Sequence, residues 1–219
     1  MSRRSGAVAP RGERGTRVPQ QARSRRTRER ILTAATACFE ELGYDETTTA
    51  AIARRAGIAV GSVYGYFVNK RAILLELLHG TVEQMADGVV QGLAPAAWQG
   101  AEPRECVRKL LNLVFHARTV QPGVQRILWE RFFKDAEFRA AMEAIENRIR
   151  GAIAELLTVL RDQGRTRIED VATAAYVIHL SMEWTASRLM LGDSPVDIDA
   201  AVETASEMLS RFLFDDERL

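Results

Sequence analysis

The chain has 219 residues, of which 47% are hydrophobic, 27% charged and 7% aromatic, which is typical of globular proteins and excludes collagen-like or wholly disordered chains. Its formal net charge of +1 argues, taken alone, against a nucleic-acid-binding protein. The charge is uneven, however: residues 1–30 carry ten arginines against two glutamates, a net +8, whereas residues 73–219 sum to −7. This asymmetry indicates a contact with nucleic acid or another anionic surface at one end of the chain.

The cysteine count and the hydropathy pattern bear on the compartment. Cys38 and Cys106 both lie in helical patterns and do not support a disulfide framework. No run of 18 apolar residues occurs, and no apolar stretch follows the N-terminal arginines, so neither a membrane span nor a secretory signal is expected. The sequence therefore predicts a cytoplasmic protein that does not contact membranes.

Residues 1–22 are rich in arginine, glycine and proline, and Val8 and Val18 are their only sizeable apolar side chains. Such a segment buries too little surface to offset the entropy of ordering, so it is predicted to be a disordered tail. Two interpretations remain open for it: a solvated tail without function, or an arm that contacts DNA phosphates.

The first structured elements are predicted to be two helices and a turn. Apolar residues after Arg26 recur at helical spacing and predict a first helix that ends at Gly43. Threonines 47–49 offer N-caps for a short second helix. A turn follows in which Gly57 is expected to take a positive φ.

The rest of the chain also shows helical periodicity, broken by glycine and proline. No alternating run of β-branched residues competes with it, and no internal repeat is evident. The predicted fold is therefore all-α with about nine helices. The later helices are expected at about 60–67, at 69–93 with Asn69 as the cap, and at about 104–119, 124–134, 136–163, 168–191 and 197–214.

Residues 47–70 have the features of a helix-turn-helix, which needs a small residue where its two helices cross and often a glycine in the turn. Ala53, Gly57 and Val63 meet these needs in order. The segment resembles the DNA-binding domain of the tetracycline-repressor-like (TetR) family of bacterial transcriptional regulators. The matching residues are the helix from Arg28 to Gly43, the Thr-Thr pair, Ile52-Ala53, Ala56-Gly57-Ile58, Gly61-Ser62-Val63-Tyr64-x-Tyr66-Phe67 and Asn69-Lys70.

The resemblance implies a set of DNA contacts. It places Val60 and Gly61 where the family reads sequence, yet neither offers a side-chain hydrogen bond, so specificity would depend on thymine methyl contacts, on Ser62 or Tyr64, on flanking residues or on DNA shape. Phe67 is expected in the core, and which of Tyr64 and Tyr66 packs inward stays open. The expected contacts are Thr48 and Thr49 to the backbone, Ser62, Tyr64, Tyr66 and Lys70 to phosphates or bases, and an arm of Arg23, Arg25, Arg26 and Arg28.

The chain is thus expected to divide into the tail (1–22), a helix-turn-helix domain (23–70) and a helical domain (71–219). The resemblance implies that the last of these binds a ligand and forms a homodimer through its final two helices, although their apolar stripes, which include Ala201 and Ala205, suit an intramolecular core equally well. Ordinary core packing is the alternative for every pocket candidate, and the aromatic supply points only weakly to a hydrophobic or planar ligand. The candidates, chosen by position, are Met85, Phe115, His116, Trp129, Phe132, Tyr176, His179, Glu183 and Trp184.

Catalytic and metal sites find little support. Glu76 and His79 match half of a di-iron motif, but no second copy follows. The three histidines are widely separated, and no phosphate-binding glycine loop or nucleophile elbow occurs. We therefore expect no catalytic residues, no metal and no cofactor.

The favoured hypothesis is a ligand-responsive homodimeric repressor that binds a palindromic DNA operator and is released by a small hydrophobic or aromatic molecule. One alternative is a helical-bundle small-molecule-binding protein or enzyme with a vestigial helix-turn-helix. Another is a DNA-binding protein that has lost ligand control and acts through a protein partner.

Overall fold

The computed structural model describes residues 20–116, 122–191 and 194–214. Within these residues the chain is helical and contains no strand, so the all-α prediction is confirmed. No helix in these ranges is long and apolar enough to cross a membrane. The helices are α1 (Gln20–Glu46), α2 (Thr49–Ala56), α3 (Val60–Tyr64), α4 (Lys70–Leu77), α5 (Glu83–Leu93), α6 (Pro103–Phe115), α7 (Pro122–Lys134), α8 (Ala136–Asp162), α9 (Val171–Met190) and α10 (Ile198–Leu213).

A π-helical turn (Leu78–Val82) joins α4 to α5 with right-handed helical backbone on both sides. The described residues therefore hold nine separate helical stretches, as the sequence predicts. A 3-10 turn (Pro95–Trp98) lies in the expected loop and buries Trp98. The predicted tail as far as residue 19 and the end of the predicted helix at 117–119 lie outside the described residues.

Several helix boundaries differ from the sequence prediction. Helix α9 begins at Val171 rather than at about residue 168, and α1 extends to Glu46 beyond Gly43. Helix α1 begins at Gln20 rather than Arg26, because glutamine, alanine and arginine favour helix even where no apolar residue marks the pattern; residues 20–22 are thus helical. Helix α3 ends at Tyr64 rather than Phe67, because the amides of Tyr66 and Phe67 both donate to the carbonyl of Val63 in a closing turn.

Local capping fixes the other boundaries of the N-terminal region. Thr48 Oγ1 accepts from the Ala51 amide at 3.1 Å, and Asn69 Oδ1 accepts from the Ala72 amide at 2.9 Å. Gly57 ends α2 in the left-handed region with φ of 64°. Both expected caps and the expected glycine turn are confirmed. Gly43 interrupts α1 with φ of 76°.

The side chains form two apolar cores. The N-terminal core joins α1–α4 to Val124, Ile127 and Leu128 of α7 and to Phe138 of α8. The C-terminal core is built from α5, α6, α8, α9 and α10. Helix α7 therefore completes the core of the helix-turn-helix region although it follows that region by about fifty positions in the sequence.

We predict that Gly57→Ala lowers the free energy of unfolding by about 1–2 kcal/mol, because a side chain in the left-handed region is strained and the added Cβ would lie 3.3 Å from the Arg30 guanidinium. Gly61→Ala is the matched control, since its Cβ would meet no atom within 4 Å and alanine favours helix. Urea unfolding measures both. Equal stability of the two variants would contradict the strain at Gly57.

Candidate functional site

Helices α2 and α3 form the helix-turn-helix through a fully buried contact. Ile52 and Ala53 of α2 and Val63 of α3 have no exposed surface. Across the turn, the Ile58 amide donates to the carbonyl of Ala53 at 3.1 Å. The inner face of α3 is thereby fixed against α2, and its outer face is left to solvent.

The outer face of α3 carries residues that the sequence assigns to DNA. Val60 is 40% exposed and Tyr64 54% exposed, and Gly61 and Ser62 are exposed beside them. The Tyr64 hydroxyl lies 3.0 Å from Thr49 Oγ1 in hydrogen-bond contact. Tyr66 is half-buried against the N-terminal core, so of the two tyrosines it is Tyr64 that points outward.

Two of the expected DNA contacts are already engaged within the protein. Lys70 Nζ donates to the carbonyls of Tyr44 and Asp45 at 2.7 and 2.9 Å and lies over the Tyr44 ring. Arg28 pairs with Glu76 and stacks on the buried Phe67. Lys70 thus links the start of α4 to the end of α1, and Arg28 links the first half of α1 to the end of α4.

Four other arginines of α1 and α2 make no such contact. Arg23, Arg25 and Arg26 on the first turns of α1 and Arg54 on α2 are exposed, and no carboxylate pairs with them among the described residues. Arg55, next to Arg54, makes a two-point pair with Glu41 at 2.5 Å. The unpaired cations are therefore Arg23, Arg25, Arg26 and Arg54 rather than Arg28 or Lys70.

A set of polar contacts ties the helix-turn-helix region to α7 and α8. Arg71 donates to both carboxylate oxygens of Asp135 at 2.6 and 2.7 Å and pairs with Glu137 at 2.7 Å. This guanidinium holds the pKa of Asp135 well below its usual range. Glu40 of α1 accepts from the Val124 amide at 3.0 Å, at the first turn of α7.

A cavity of about 180 Å³ lies inside the C-terminal core, far above the roughly 10–15 Å³ that one water needs on this measure. Helices α5 to α10, the π-helical turn and Trp98 line it, mostly with aliphatic side chains. Its polar lining consists of Gln125, Glu146, His179, Glu183 and Ser187.

Three of the nine pocket candidates line this cavity: Met85, His179 and Glu183. Each helix turns by about 100° per residue, so a position estimated from the sequence often falls on a neighbouring face, as it does for Trp184 beside Glu183. The other six candidates do not line the cavity. Phe115 is buried in the core, His116 lies 3.2 Å from Asp199, and Tyr176 is exposed. Trp129, Phe132 and Trp184 form a separate aromatic cluster with Phe133.

The polar end of the cavity is formed by α8 and α9. His179 Nε2 is buried without a hydrogen bond, 3.5 Å from Glu183 Oε2. Burial lowers the pKa of His179 to about 4, and nearby Arg150 adds to this. Burial and the charge of Glu146 raise the pKa of Glu183 to about 7. Glu146 lies 3.3 Å from Arg150, and burial raises its pKa as well.

Sequence reasoning missed Glu146. Its signal was present, since Glu146 occupies a core position of the α8 pattern, four residues after Met142 and three before Ile149. A charged side chain at such a position is exceptional unless paired or functional. Gln125 and the many aliphatic lining residues give no comparable signal.

Most of the apolar side chains in the stripes predicted for the last two helices are core within this chain. Ala175 and Met182 of α9 and Ala205 of α10 are buried against other helices, and Ala201 packs beside them. The exposed apolar side chains are Tyr176, Val177, Leu180 and Trp184 on α9 and Met208 and Phe212 on α10. Met208 and Phe212 continue the helical spacing of Ala201 and Ala205, so the stripe predicted for α10 is exposed at these two residues.

The half di-iron motif is accounted for by ion pairs. Glu76 pairs with Arg28, and His79 Nδ1 lies 3.2 Å from Glu83. Among the described residues no cluster of metal-ligating side chains is found.

Two domain families match the chain, one in its N-terminal part and one in its C-terminal part. The first, the bacterial regulatory proteins of the tetR family, matches residues 31–77, and the second, the tetracyclin repressor-like C-terminal domain, matches residues 102–213. The transcriptional regulator TtgR of Pseudomonas putida is 31% identical over 202 residues, or 84% of this chain and 91% of TtgR. The transcriptional repressor KstR of Rhodococcus jostii is 26% identical over 183 residues, or 83% of this chain and 82% of KstR.

Solved structures share the fold. The regulator FadR of Bacillus subtilis, in complex with stearoyl-CoA, superposes with a TM-score of 0.68 and 22% identity over 83% of this chain and 96% of FadR.

We predict that Glu183→Gln increases the free energy of unfolding, and that this increase is about 2 kcal/mol larger at pH 8 than at pH 5. A carboxyl whose folded pKa is raised from 4.5 to about 7 binds more protons in the folded state, so its stability contribution is lost as pH rises through that window. Glutamine carries no such charge. Burial lowers the pKa of His179 to about 4, so in the folded protein this residue is neutral at both pH values and does not add to the difference.

The measurement is urea unfolding of both proteins at each pH, with Glu155→Gln on the exposed face of α8 as the control. A gain that is the same at pH 5 and pH 8 would show that Glu183 is not buried as described.

Proposed function

Because this chain belongs to the TetR family of bacterial regulatory proteins, and is therefore a DNA-binding transcriptional regulator rather than an enzyme, we propose that it is a ligand-responsive homodimeric repressor. Two copies bind a palindromic operator, and a small molecule in the cavity lowers their affinity for it. The observation that carries this proposal is the double role of α7. Its Leu128 packs in the N-terminal core and also lines the cavity.

Helix α7 can couple ligand binding to DNA binding. A ligand that displaces the face of α7 lining the cavity also shifts the opposite face, which packs against the DNA-binding domain. Glu40 and Arg71 fasten that domain to α7 and to the start of α8. A packed element that adopts one of two positions transmits such a shift, with coupling free energies typically of about 1–3 kcal/mol. The complex of FadR with stearoyl-CoA supports ligand binding in this fold, and the repressor KstR supports repression.

A homodimer with two-fold symmetry would match a palindromic operator. The exposed apolar side chains of α9 and α10 give an apolar surface in the C-terminal domain, which suits burial against a second copy. Two helix-turn-helix units related by a two-fold axis then meet half-sites about 34–36 Å apart. Such a regulator acts on the chromosome, in the bacterial cytoplasm.

We propose domain limits of 23–70 for DNA binding and 71–219 for ligand binding and dimerisation. The presence of two cores supports two domains, although the N-terminal core also includes Ile73, Leu74 and Leu78 and side chains of α7 and α8. In the DNA-binding part, exposure supports contacts by Val60, Gly61, Ser62 and Tyr64, with Thr48 and Thr49 at the start of α2. In the cavity, Met85, His179 and Glu183 stay as proposed ligand contacts.

The experiment that tests this function is selection of bound duplexes from a random DNA library by the purified protein, followed by sedimentation of the complex. We expect a palindrome and two chains per duplex. Selection of an asymmetric site, or one chain per duplex, would overturn the homodimeric proposal. Thermal-shift screening of a compound collection, followed by DNA-release assays of the hits, separates ligand control from regulation through a protein partner.

We predict that Arg25→Ala combined with Arg26→Ala weakens binding to the selected palindrome and to unrelated DNA alike. Each phosphate contact contributes about 0.9 to the slope of log affinity against log salt, so the slope falls by up to about 2. Arg108→Ala, which removes an exposed arginine of α6, is the control and leaves the slope unchanged. An unaltered slope in the double variant would remove both arginines from the DNA contact.

We predict that Asp135→Asn reduces the effect of an effector on DNA affinity at least about fivefold. Asparagine still caps α8, because its side-chain oxygen accepts the amides of Glu137 and Phe138 as Asp135 Oδ1 does, but it loses the charge that holds Arg71. The measurements are effector affinity without DNA, expected to change less than about twofold, and operator affinity with and without effector. Undiminished release of DNA would contradict this role for the contact.

A further inference from the structure

The charges that face the cavity are all of one sign. Glu146 and Glu183 are the only charged side chains among its described lining residues, and no lysine or arginine lines it. The remaining lining is almost entirely aliphatic. A ligand enclosed there meets an apolar wall with an acidic end, where electrostatic interactions are stronger than in water.

One of the two carboxylates, Glu183, makes no ion pair with Arg or Lys among the described residues, although the charge of nearby Arg150 opposes the effect of burial on its pKa. Arg150 follows Glu146 by one helical turn, lies 3.3 Å from it, donates to Asn147 at 2.6 Å and stacks on the Tyr176 ring. Its ion pair is thus with Glu146, and no ion pair with Arg or Lys is found for Glu183 in the described part of the chain. The side chain of Glu183 is nevertheless only 20% exposed, and a buried carboxylate is costly unless a cation or hydrogen-bond donor meets it.

His179 supplies a second unsatisfied group at the same end. The residue is 8% exposed, its Nε2 makes no hydrogen bond, and it lines the cavity beside Glu183. A neutral imidazole accepts a hydrogen bond at one ring nitrogen. Carboxylate oxygens also accept, so this end of the cavity suits a ligand that donates hydrogen bonds when His179 Nε2 is the unprotonated nitrogen.

We propose that this end binds the protonated amine of an otherwise apolar ligand, with Glu183 as the counter-ion, His179 as a further acceptor and the aliphatic wall around the hydrocarbon part. This inference rests on the proposed ligand-responsive function and names the chemical class of the effector. A carboxylic acid of the same shape is excluded, because it places a third negative charge beside Glu146 and Glu183.

The experiment compares three probes that share one chain: decylamine, 1-decanol and decanoic acid. Calorimetric titration of the full-length protein without DNA is expected to give decylamine at least about tenfold tighter binding than decanol, and no binding of decanoate. Glu183→Gln is expected to weaken decylamine about tenfold and leave decanol unchanged, while Glu155→Gln, on the exposed face of α8, changes neither.

A pH series gives an independent readout. Decylamine stays protonated between pH 6 and pH 8, whereas Glu183 ionises across this range and His179 is already neutral. Glu146 is balanced by Arg150. We therefore expect decylamine affinity to rise with pH in the wild-type protein and to stay flat in Glu183→Gln.

The outcomes separate this inference from the function on which it rests. Equal affinities for the three probes, no binding of any, or an unaltered amine affinity in Glu183→Gln would overturn the amine site. If decanol or decanoate instead released the operator, the proposed ligand-responsive function would be upheld and the amine site would be overturned. Tight and Glu183-dependent binding of decylamine with no effect on operator affinity would uphold the amine site and overturn ligand control.

Discussion

The packing of α7 between two apolar cores is the constraint on which the rest of the structure depends. The core of the helix-turn-helix region is shared with α7, whose Val124, Ile127 and Leu128 are buried in it. The same helix presents Gln125 and Leu128 to the cavity. Because protein interiors are close-packed, a change of volume on one side of α7 cannot be absorbed without a response on the other.

Polar contacts give this packing a fixed register. Arg71 meets Asp135 at two points, and Asp135 also caps α8, so one carboxylate orients both partners. Charge-assisted two-point contacts are directional as well as strong, whereas apolar packing alone tolerates small slips. The DNA-binding region is therefore attached to the ligand-binding region by geometry as well as by burial.

The electrostatics of the DNA side follow from which cations are already paired. The net charge of +8 in residues 1–30 suggests a broad basic arm, and the motif adds Lys70. In the fold, Lys70 and Arg28 stabilise the junction of α1 and α4, and the outer face of α3 carries no charged side chain. Among the described residues of α1 and α2, Arg23, Arg25, Arg26 and Arg54 keep exposed guanidinium groups without a carboxylate partner, while helix α3 is itself neutral.

The sequence by itself determined the all-α class, the helix-turn-helix, the caps at Thr48 and Asn69 and the turn at Gly57, because each depends on neighbours within a few residues. It also pointed to His179 and Glu183 by their type and position. Only the tertiary structure decided that Glu146 joins them and that Trp129, Tyr176 and Trp184 face elsewhere. It also decided that most of the α9 and α10 stripes is core, while Met208 and Phe212 stay exposed. Those outcomes depend on which face each helix turns toward partners far away in the chain, and a rotation of one residue moves a side chain by about 100°.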